Sequence, residues 1–185
     1  MNRASIPTVT APVSWQAGDY GLKAWSMDPA FAVNATTLTN GTNYFTAVVL
    51  RSTQLISTLW CGVSTAAVTP VSGQNFMSLY AASGTLLSSG AAVFSPQGVR
   101  SVTLDSPQAC AAGVYFVHML ANAATPAALS RAIGVIGAPS IQNVNLATTA
   151  LRFFVNGTGA TTPPSSITLA NNTATGSATF WVAAS

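Results

Sequence analysis

Charged residues are scarce in this chain. Only 5% of its 185 residues are charged, whereas an ordinary soluble domain has about 25%. A chain of this mass should fold with about 8,300 Å² of surface, which leaves one charge for roughly every 900 Å². A free monomer normally carries a much denser mixture of charges, so we expect a multimer in which neighbours cover part of the surface. The charged residues are Asp19, Asp28, Asp105, Arg3, Lys23, Arg51, Arg100, Arg131 and Arg152.

Groups that could perform acid–base or nucleophilic chemistry are also few. His118 is the single histidine, and no serine lies in a Gly-x-Ser-x-Gly turn. Asp19 and Asp28 are the only acids close together in sequence, and glycoside hydrolysis needs two carboxylates about 5–10 Å apart with distinct roles. We therefore predict a protein that is not an enzyme, with no catalytic residue, cofactor or metal site, and we interpret His118 as a hydrogen-bonded structural residue.

The two cysteines, Cys61 and Cys110, are too few to build a metal framework. We interpret both as small buried residues on strands. A disulfide stays open as an alternative, on condition that the two strands are adjacent and the compartment is oxidising.

Long apolar runs and clusters of basic residues are missing as well. The longest apolar run, residues 114–121, is far shorter than the ~20 residues that span a membrane and contains His118. The net charge of +3 is spread along the chain, which gives counterion release at a phosphate backbone no patch to act through. No secretory signal is visible in residues 1–10. We expect neither a membrane nor a nucleic acid as partner.

Short strands separated by turn residues are what the sequence does contain. Residues 75–81 and 85–90 predict two paired strands joined by a turn at residues 82–84. Ser83-Gly84 would supply the positive φ that a tight hairpin needs.

The same pattern of strands and turns continues through the chain. We predict a hairpin of residues 44–50 and 55–63, a corner at Ser106-Pro107, and a loop or single helical turn at residues 122–130. In total, eight to ten short strands with little or no helix predict an antiparallel β-sandwich, jelly-roll-like or Ig-like. The other predicted strands are 99–104, 114–120, 131–136, 151–155 and 178–183.

The predicted β-sandwich domain covers residues 15–185. Residues 1–14 are rich in Pro, Thr and Val, and they predict an extended arm because proline opposes helix. Such an arm could lie on a neighbouring subunit through Ile6, Pro7, Val9 and Pro12.

Aromatic residues are dense at the start of the predicted domain, where Trp15, Tyr20, Trp25 and Phe31 lie within 17 positions. Aromatic rings pack in cores, anchor protein interfaces and hold the faces of sugars. The sequence leaves all three roles open: core packing, an interface, or a glycan platform.

Several segments together resemble minor tail proteins, a family of virion proteins from tailed phages of actinobacteria. The resemblance implies a non-enzymatic β-sandwich on the particle exterior, able to contact the host surface, and it supplies no catalytic residues. The segments that carry it are residues 18–25 with Asp28-Pro29, residues 38–44, 79–87, 104–107 and 112–117, and the ending 180–183.

The sequence thus predicts a structural virion protein, made in the host cytoplasm and assembled as a homo-oligomer on the outside of a tailed-phage particle. A tail-associated protein is the first hypothesis. The second is a capsid decoration protein that clamps major capsid subunits through residues 1–14. The third is a carbohydrate-binding adhesin that grips a host cell-surface glycan through its aromatic residues.

Overall fold

Strands dominate the described part of the chain. The computed structural model describes residues 15–132, 143–174 and 179–185. Within them lie thirteen β-strands and four short 3₁₀ turns, and eight of the strands have four or more residues. The strands are β1 (Ala24–Trp25), β2 (Asn34–Thr37), β3 (Tyr44–Leu50), β4 (Gln54–Thr65), β5 (Val68–Pro70), β6 (Phe76–Ala81), β7 (Leu86–Ala91), β8 (Gly98–Cys110), β9 (Gly113–Leu120), β10 (Ala123–Thr125), β11 (Ala128–Arg131), β12 (Phe153–Val155) and β13 (Val182–Ala184).

Two antiparallel sheets pack together, which confirms the predicted all-β sandwich. The first sheet has the order β1-β13-β4-β11-β2. β13 and β11 pair with successive parts of one edge of β4, and β8 pairs with its other edge. The second sheet has the order β12-β3-β9-β6-β7. A two-stranded ribbon of β5 and β10 lies beside them. The predicted arm at residues 1–14, with Ile6, Pro7, Val9 and Pro12, lies outside the described residues.

The main core fills the space between the sheets. Strand periodicity sends alternate residues to it, so Val117 and Met119 of β9 face Ile56 and Leu59 of β4 across the interior. Burying a Leu, Val or Met side chain contributes about 1.5–3 kcal/mol. The interior of the sandwich is therefore the main source of its stability.

A second, aromatic core covers the other face of the five-stranded sheet. Phe45 and Phe154 stack with their ring centroids 5.0 Å apart, and Phe116 meets Phe154 edge-on at 5.0 Å. Ile167, from the chain that follows β12, packs onto these rings, and the Tyr80 hydroxyl donates to the Pro164 carbonyl. The central strands β3, β9 and β6 are consequently buried on both faces.

His118 belongs to this second core and is fully buried. Its Nε2 lies 2.9 Å from Oδ1 of Asn43 and its Nδ1 lies 3.3 Å from Oγ of Ser78. Because the Asn43 amide nitrogen donates to the Asn156 carbonyl, Oδ1 must accept from the ring, which assigns the proton to Nε2. Burial lowers the pKa of His118 to about 3. The predicted structural histidine is therefore what the fold contains.

The predicted hairpin of residues 44–50 and 55–63 is wrong in its pairing, although both strands form. β3 pairs with β9 and β12, whereas β4 belongs to the other sheet. The short polar link after Leu50 crosses from one sheet to the other. Sequence spacing cannot distinguish such a crossing from a hairpin, because both need only a few polar residues.

The predicted corner at Ser106-Pro107 is also wrong. β8 continues to Cys110, and the register against β4 shifts at this point, so that Thr58 pairs with Thr103 and Ile56 with Gln108. The proline lies in the resulting bulge, where no ladder hydrogen bond is needed from its nitrogen.

Residues 122–130 form strands β10 and β11 rather than the loop or helical turn that the sequence predicted. β11 pairs with both β2 and β4, so tertiary pairing overrides the weak local preference of an Ala-rich stretch. The strand predicted at residues 131–136 lies outside the described residues apart from Arg131, which ends β11, and Ala132.

Two glycines are required by close approach of the backbone. Gly84 turns between β6 and β7 with φ +89°, as the Ser83-Gly84 pair predicted, and a Cβ there would collide with the carbonyl of Ile167. A Cβ on Gly90 would overlap the carbonyl oxygen of Thr103 in β8. β7 and β8 can therefore close one side of the sandwich only with glycine at this position.

The cysteines are free and buried, as predicted, and they do not meet. Cys61 is opposite Arg100, whereas Cys110 is opposite Gln54, seven residues further along β4. That spacing separates the thiols by roughly 20 Å, which excludes a disulfide. Burial also raises the pKa of the Cys61 thiol to about 12.

Replacing Leu79 with Asp should prevent folding, because an unpaired carboxylate in the main core costs at least about 4 kcal/mol. Leu79 is 1% exposed, whereas Leu55 is 60% exposed. Leu55→Asp is the matched control and should change the free energy of unfolding by less than about 0.5 kcal/mol. Urea denaturation of both variants, followed by circular dichroism, measures the difference. A Leu79→Asp protein with native stability would contradict the assignment of the core.

His118 should make the protein lose stability as the pH falls. Its pKa is 6.5 in the unfolded chain and about 3 in the fold, so the unfolded state holds the extra proton between these values. The contribution of the neutral imidazole to the free energy of unfolding is fully present above pH 6.5. It decreases by about 1.4 kcal/mol per pH unit below that pH, and it stops changing near pH 3. Urea denaturation at pH 7.5 and 4.5 should show a loss roughly 3 kcal/mol larger for the native chain than for His118→Gln. Equal losses would contradict a neutral buried imidazole.

Candidate binding surface

Three of the four aromatic residues singled out in the sequence form an exposed row of rings, which we call the aromatic ladder: Trp15, Tyr20 and Trp25. The ring centroids of Trp15 and Tyr20 are 5.8 Å apart, and those of Tyr20 and Trp25 are 5.5 Å apart. Trp15 is 62% exposed and Tyr20 is 51% exposed. These two rings therefore present apolar area to the surroundings rather than to the core.

A 3₁₀ turn positions the ladder. Residues Ala17–Tyr20 form this turn, which begins where the Gln16 amide donates to the Asp19 carboxylate at 2.8 Å and ends at Gly21 with φ +72°. Trp25 lies on β1, opposite Ala183 of β13. The strand anchors one ring and the turn folds the other two back against it.

Phe31 does not join the ladder. It ends the 3₁₀ turn Pro29–Phe31, which Asp28 caps by accepting from the Ala30 amide at 2.8 Å, and it is 67% exposed. Within residues 15–132, 143–174 and 179–185, its ring stacks on no other aromatic ring.

On one side of the ladder lies an apolar trough of about 350 Å³. Trp60 of β4 forms part of it, with its indole nitrogen donating to Oγ of Ser185 at 2.9 Å. Val99 of β8 lies at the trough with 61% of its surface exposed. The trough is lined by Tyr20, Gly21, Leu22, Pro29, Trp60, Val99 and Trp181.

On the other side lies a cationic groove of about 360 Å³. Lys23, Arg51 and Arg152 line it, and all three are exposed. Trp25 also lines this groove. Its polar lining is completed by Gln16, Ser26, Ser52 and Gln54.

The cationic groove opens into a third concavity, an apolar groove of about 370 Å³. Trp25, Val49 and Arg152 line both. The apolar groove continues along the five-stranded sheet past Val114 and Leu146. The cationic groove and the apolar groove therefore share a wall at Trp25, whereas the apolar trough at Tyr20 shares no lining residue with either of them.

The acidic residues lie elsewhere and take part in local hydrogen bonds. Asp19 and Asp28 accept from backbone amides in their own turns, and Asp105 accepts from the Ser89 hydroxyl at 3.2 Å. In the described ranges, no group of three His, Cys, Asp or Glu side chains could hold a metal ion. No helix formed by those ranges is long and apolar enough to cross a membrane.

Sequence reasoning missed Trp60, Trp181 and the cationic groove. Arg51 and Arg152 are a hundred positions apart in the chain, so charge that is spread along the sequence becomes concentrated in space. No local pattern signals this. The signal that was available, aromatic density at residues 15–25, identified the ladder but not its surroundings.

No protein-family model matches this chain, and no curated protein matches it in sequence.

Proposed function

We propose that this chain is a non-enzymatic structural protein on the exterior of a tailed-phage particle, associated with the tail and assembled as a multimer. The observation that carries the proposal is the apolar trough beside the aromatic ladder, which offers a neighbouring subunit a concave aromatic surface. The sparse charge of the chain and its resemblance to minor tail proteins support the same proposal.

The chemistry of the trough suits a subunit contact. The cores of protein interfaces are enriched in aromatic residues and depleted of charged ones, and the trough combines Tyr20, Trp60 and Trp181 with no charged lining residue. Covering it would contribute about 25 cal/mol for each Å² of apolar surface removed from water. Its occupant in this proposal is an apolar segment of a neighbouring virion subunit.

A second candidate function, a carbohydrate-binding adhesin, is favoured by the exposure of Trp15 and Tyr20. Each exposed ring can lie against the face of a sugar, and because neighbouring rings are tilted by 65° and 55° the sugars they hold would be tilted to one another. In that role the ladder would contact a host cell-surface glycan while other surfaces hold the protein on the particle.

The capsid decoration hypothesis differs in location and depends on residues 1–14. Immunogold labelling of purified particles distinguishes a position on the tail from a position on the head. We expect label on the tail. Label confined to the head would contradict the tail assignment, and particles without label would contradict the virion proposal.

Replacing Val99 with Asp should prevent incorporation into particles, because a charge in the trough would be desolvated on contact with the neighbour. Val93→Asp is the matched control, since Val93 is 64% exposed and lies outside all three concavities. Each variant is supplied to a phage that lacks the native gene, and the protein content of purified particles is measured by quantitative immunoblotting.

Both variants should melt at the native temperature, which separates assembly from folding. We expect Val93→Asp at native copy number and Val99→Asp at less than a tenth of it. Equal incorporation of the two variants would contradict the trough as the subunit contact.

A further inference from the structure

The cationic side chains in the described ranges divide into two groups by their hydrogen bonds. Arg100 donates to the Gln97 carbonyl at 2.6 Å, and Arg131 donates to the carbonyls of Ala35 and Ala132 at 3.3 and 3.0 Å. These two guanidinium groups have a structural role, since they satisfy backbone oxygens of their own fold.

The remaining described cations, Lys23, Arg51 and Arg152, all line the cationic groove. Their side chains make no hydrogen bond or ion pair with residues 15–132, 143–174 or 179–185. Asp19 and Asp28 each adjoin a lining residue in sequence, but they accept from the backbone amides of Gln16 and Ala30, respectively, and neither lines the groove. Three positive charges that find no partner among these described residues therefore line one concavity, in a protein with very few charges of either sign.

Gathering like charges in one place is unfavourable unless a counter-charge joins them. At physiological ionic strength the screening length is about 8 Å, so cations that share a groove of this size repel one another. An anionic ligand would remove this repulsion and accept hydrogen bonds from all three groups, and charge-assisted bonds of this kind are the stronger ones.

The rest of the lining indicates what kind of anion fits. The Gln54 amide nitrogen donates to Oγ of Ser52 at 2.9 Å, so both side chains are held at the groove, where they offer partners for hydroxyl groups. Trp25 supplies an aromatic surface, and it is continuous with the aromatic ladder through Tyr20. Hydroxyl partners, an aromatic ring and clustered cations are the features that recognise a sugar bearing an acidic group.

We propose that the cationic groove binds an acidic carbohydrate. Lys23, Arg51 and Arg152 hold the anionic group, and a sugar ring lies against Trp25. The groove volume falls within the range of small-molecule sites, about 300–1,000 Å³. This site is separate from the trough that we assign to subunit contact, and it is tested on the purified chain, so its failure would leave the virion proposal standing.

The anionic group could be a carboxylate or a phosphate, and the probes distinguish them. Isothermal titration calorimetry of the full chain would use tetragalacturonic acid, a glycerol phosphate oligomer, and maltotetraose as the uncharged control. We expect saturable binding of at least one acidic probe that weakens with added salt, and no binding of maltotetraose. Equal binding of acidic and neutral probes, or binding of neither acidic probe, would overturn the proposal.

Variants locate the site. Arg51→Gln and Arg152→Gln should each weaken binding of the acidic probe about tenfold, because each removes a charge-assisted hydrogen bond. Arg100→Gln is the matched control: it removes the same net charge outside the groove and should leave affinity within about twofold if charge at a distance is screened. Thermal melting confirms that each variant is folded.

Two further results would overturn the assignment. A loss of affinity in Arg100→Gln as large as that in Arg51→Gln would indicate attraction by net charge alone. Tighter binding of a thymidine oligonucleotide than of either acidic oligosaccharide would indicate a nucleic-acid site instead.

Ser52→Glu, which places a carboxylate at the groove without removing a cation, should weaken binding as the arginine variants do.

Discussion

The centre of the five-stranded sheet is buried on both faces, and the rest of the structure depends on this constraint. One face packs against the other sheet through residues such as Leu79 and Val117. The opposite face carries Phe45, Tyr80 and Phe116, which would be exposed if the chain after β12 did not pass over them. The irregular segment that follows Val155 is therefore part of the core, because it brings Ile167 onto these rings.

An irregular covering segment has few strand neighbours, so its backbone polar groups need other partners. Asparagine side chains supply many of them. The chain that leads into β12 is held in the same way, since Asn143 accepts from the backbone amides of Arg152 and Phe153 and donates to the Phe153 carbonyl. Within the covering segment, Nδ2 of Asn156 donates to the Thr168 carbonyl and to Oδ1 of Asn172. Nδ2 of Asn172 donates in turn to the Thr148 carbonyl.

This use of amides explains part of the unusual composition. A neutral amide both donates and accepts, and burying it with its hydrogen bonds satisfied costs far less than burying a charge. The same chemistry fixes the loops at one end of the sandwich, where the Asn75 side chain donates to the Asn122 carbonyl and accepts from the Asn122 backbone amide. Few charges are needed for the fold, and three of the five described cations line a single groove.

The sequence by itself determined the class of fold, most strand positions and the turn at Gly84, because these follow from local periodicity and from residues that allow positive φ. It also identified the aromatic ladder, since Trp15, Tyr20 and Trp25 lie close in the chain. Only the tertiary structure decided which strands pair: β3 crosses to a different sheet from β4, and Pro107 lies in a bulge of β8. The trough at Trp60 and Trp181 and the groove at Arg51 and Arg152 likewise arise only on folding. The physical reason is that pairing between distant strands depends on how whole faces bury each other, and no local sequence pattern encodes which distant residues that burial brings together.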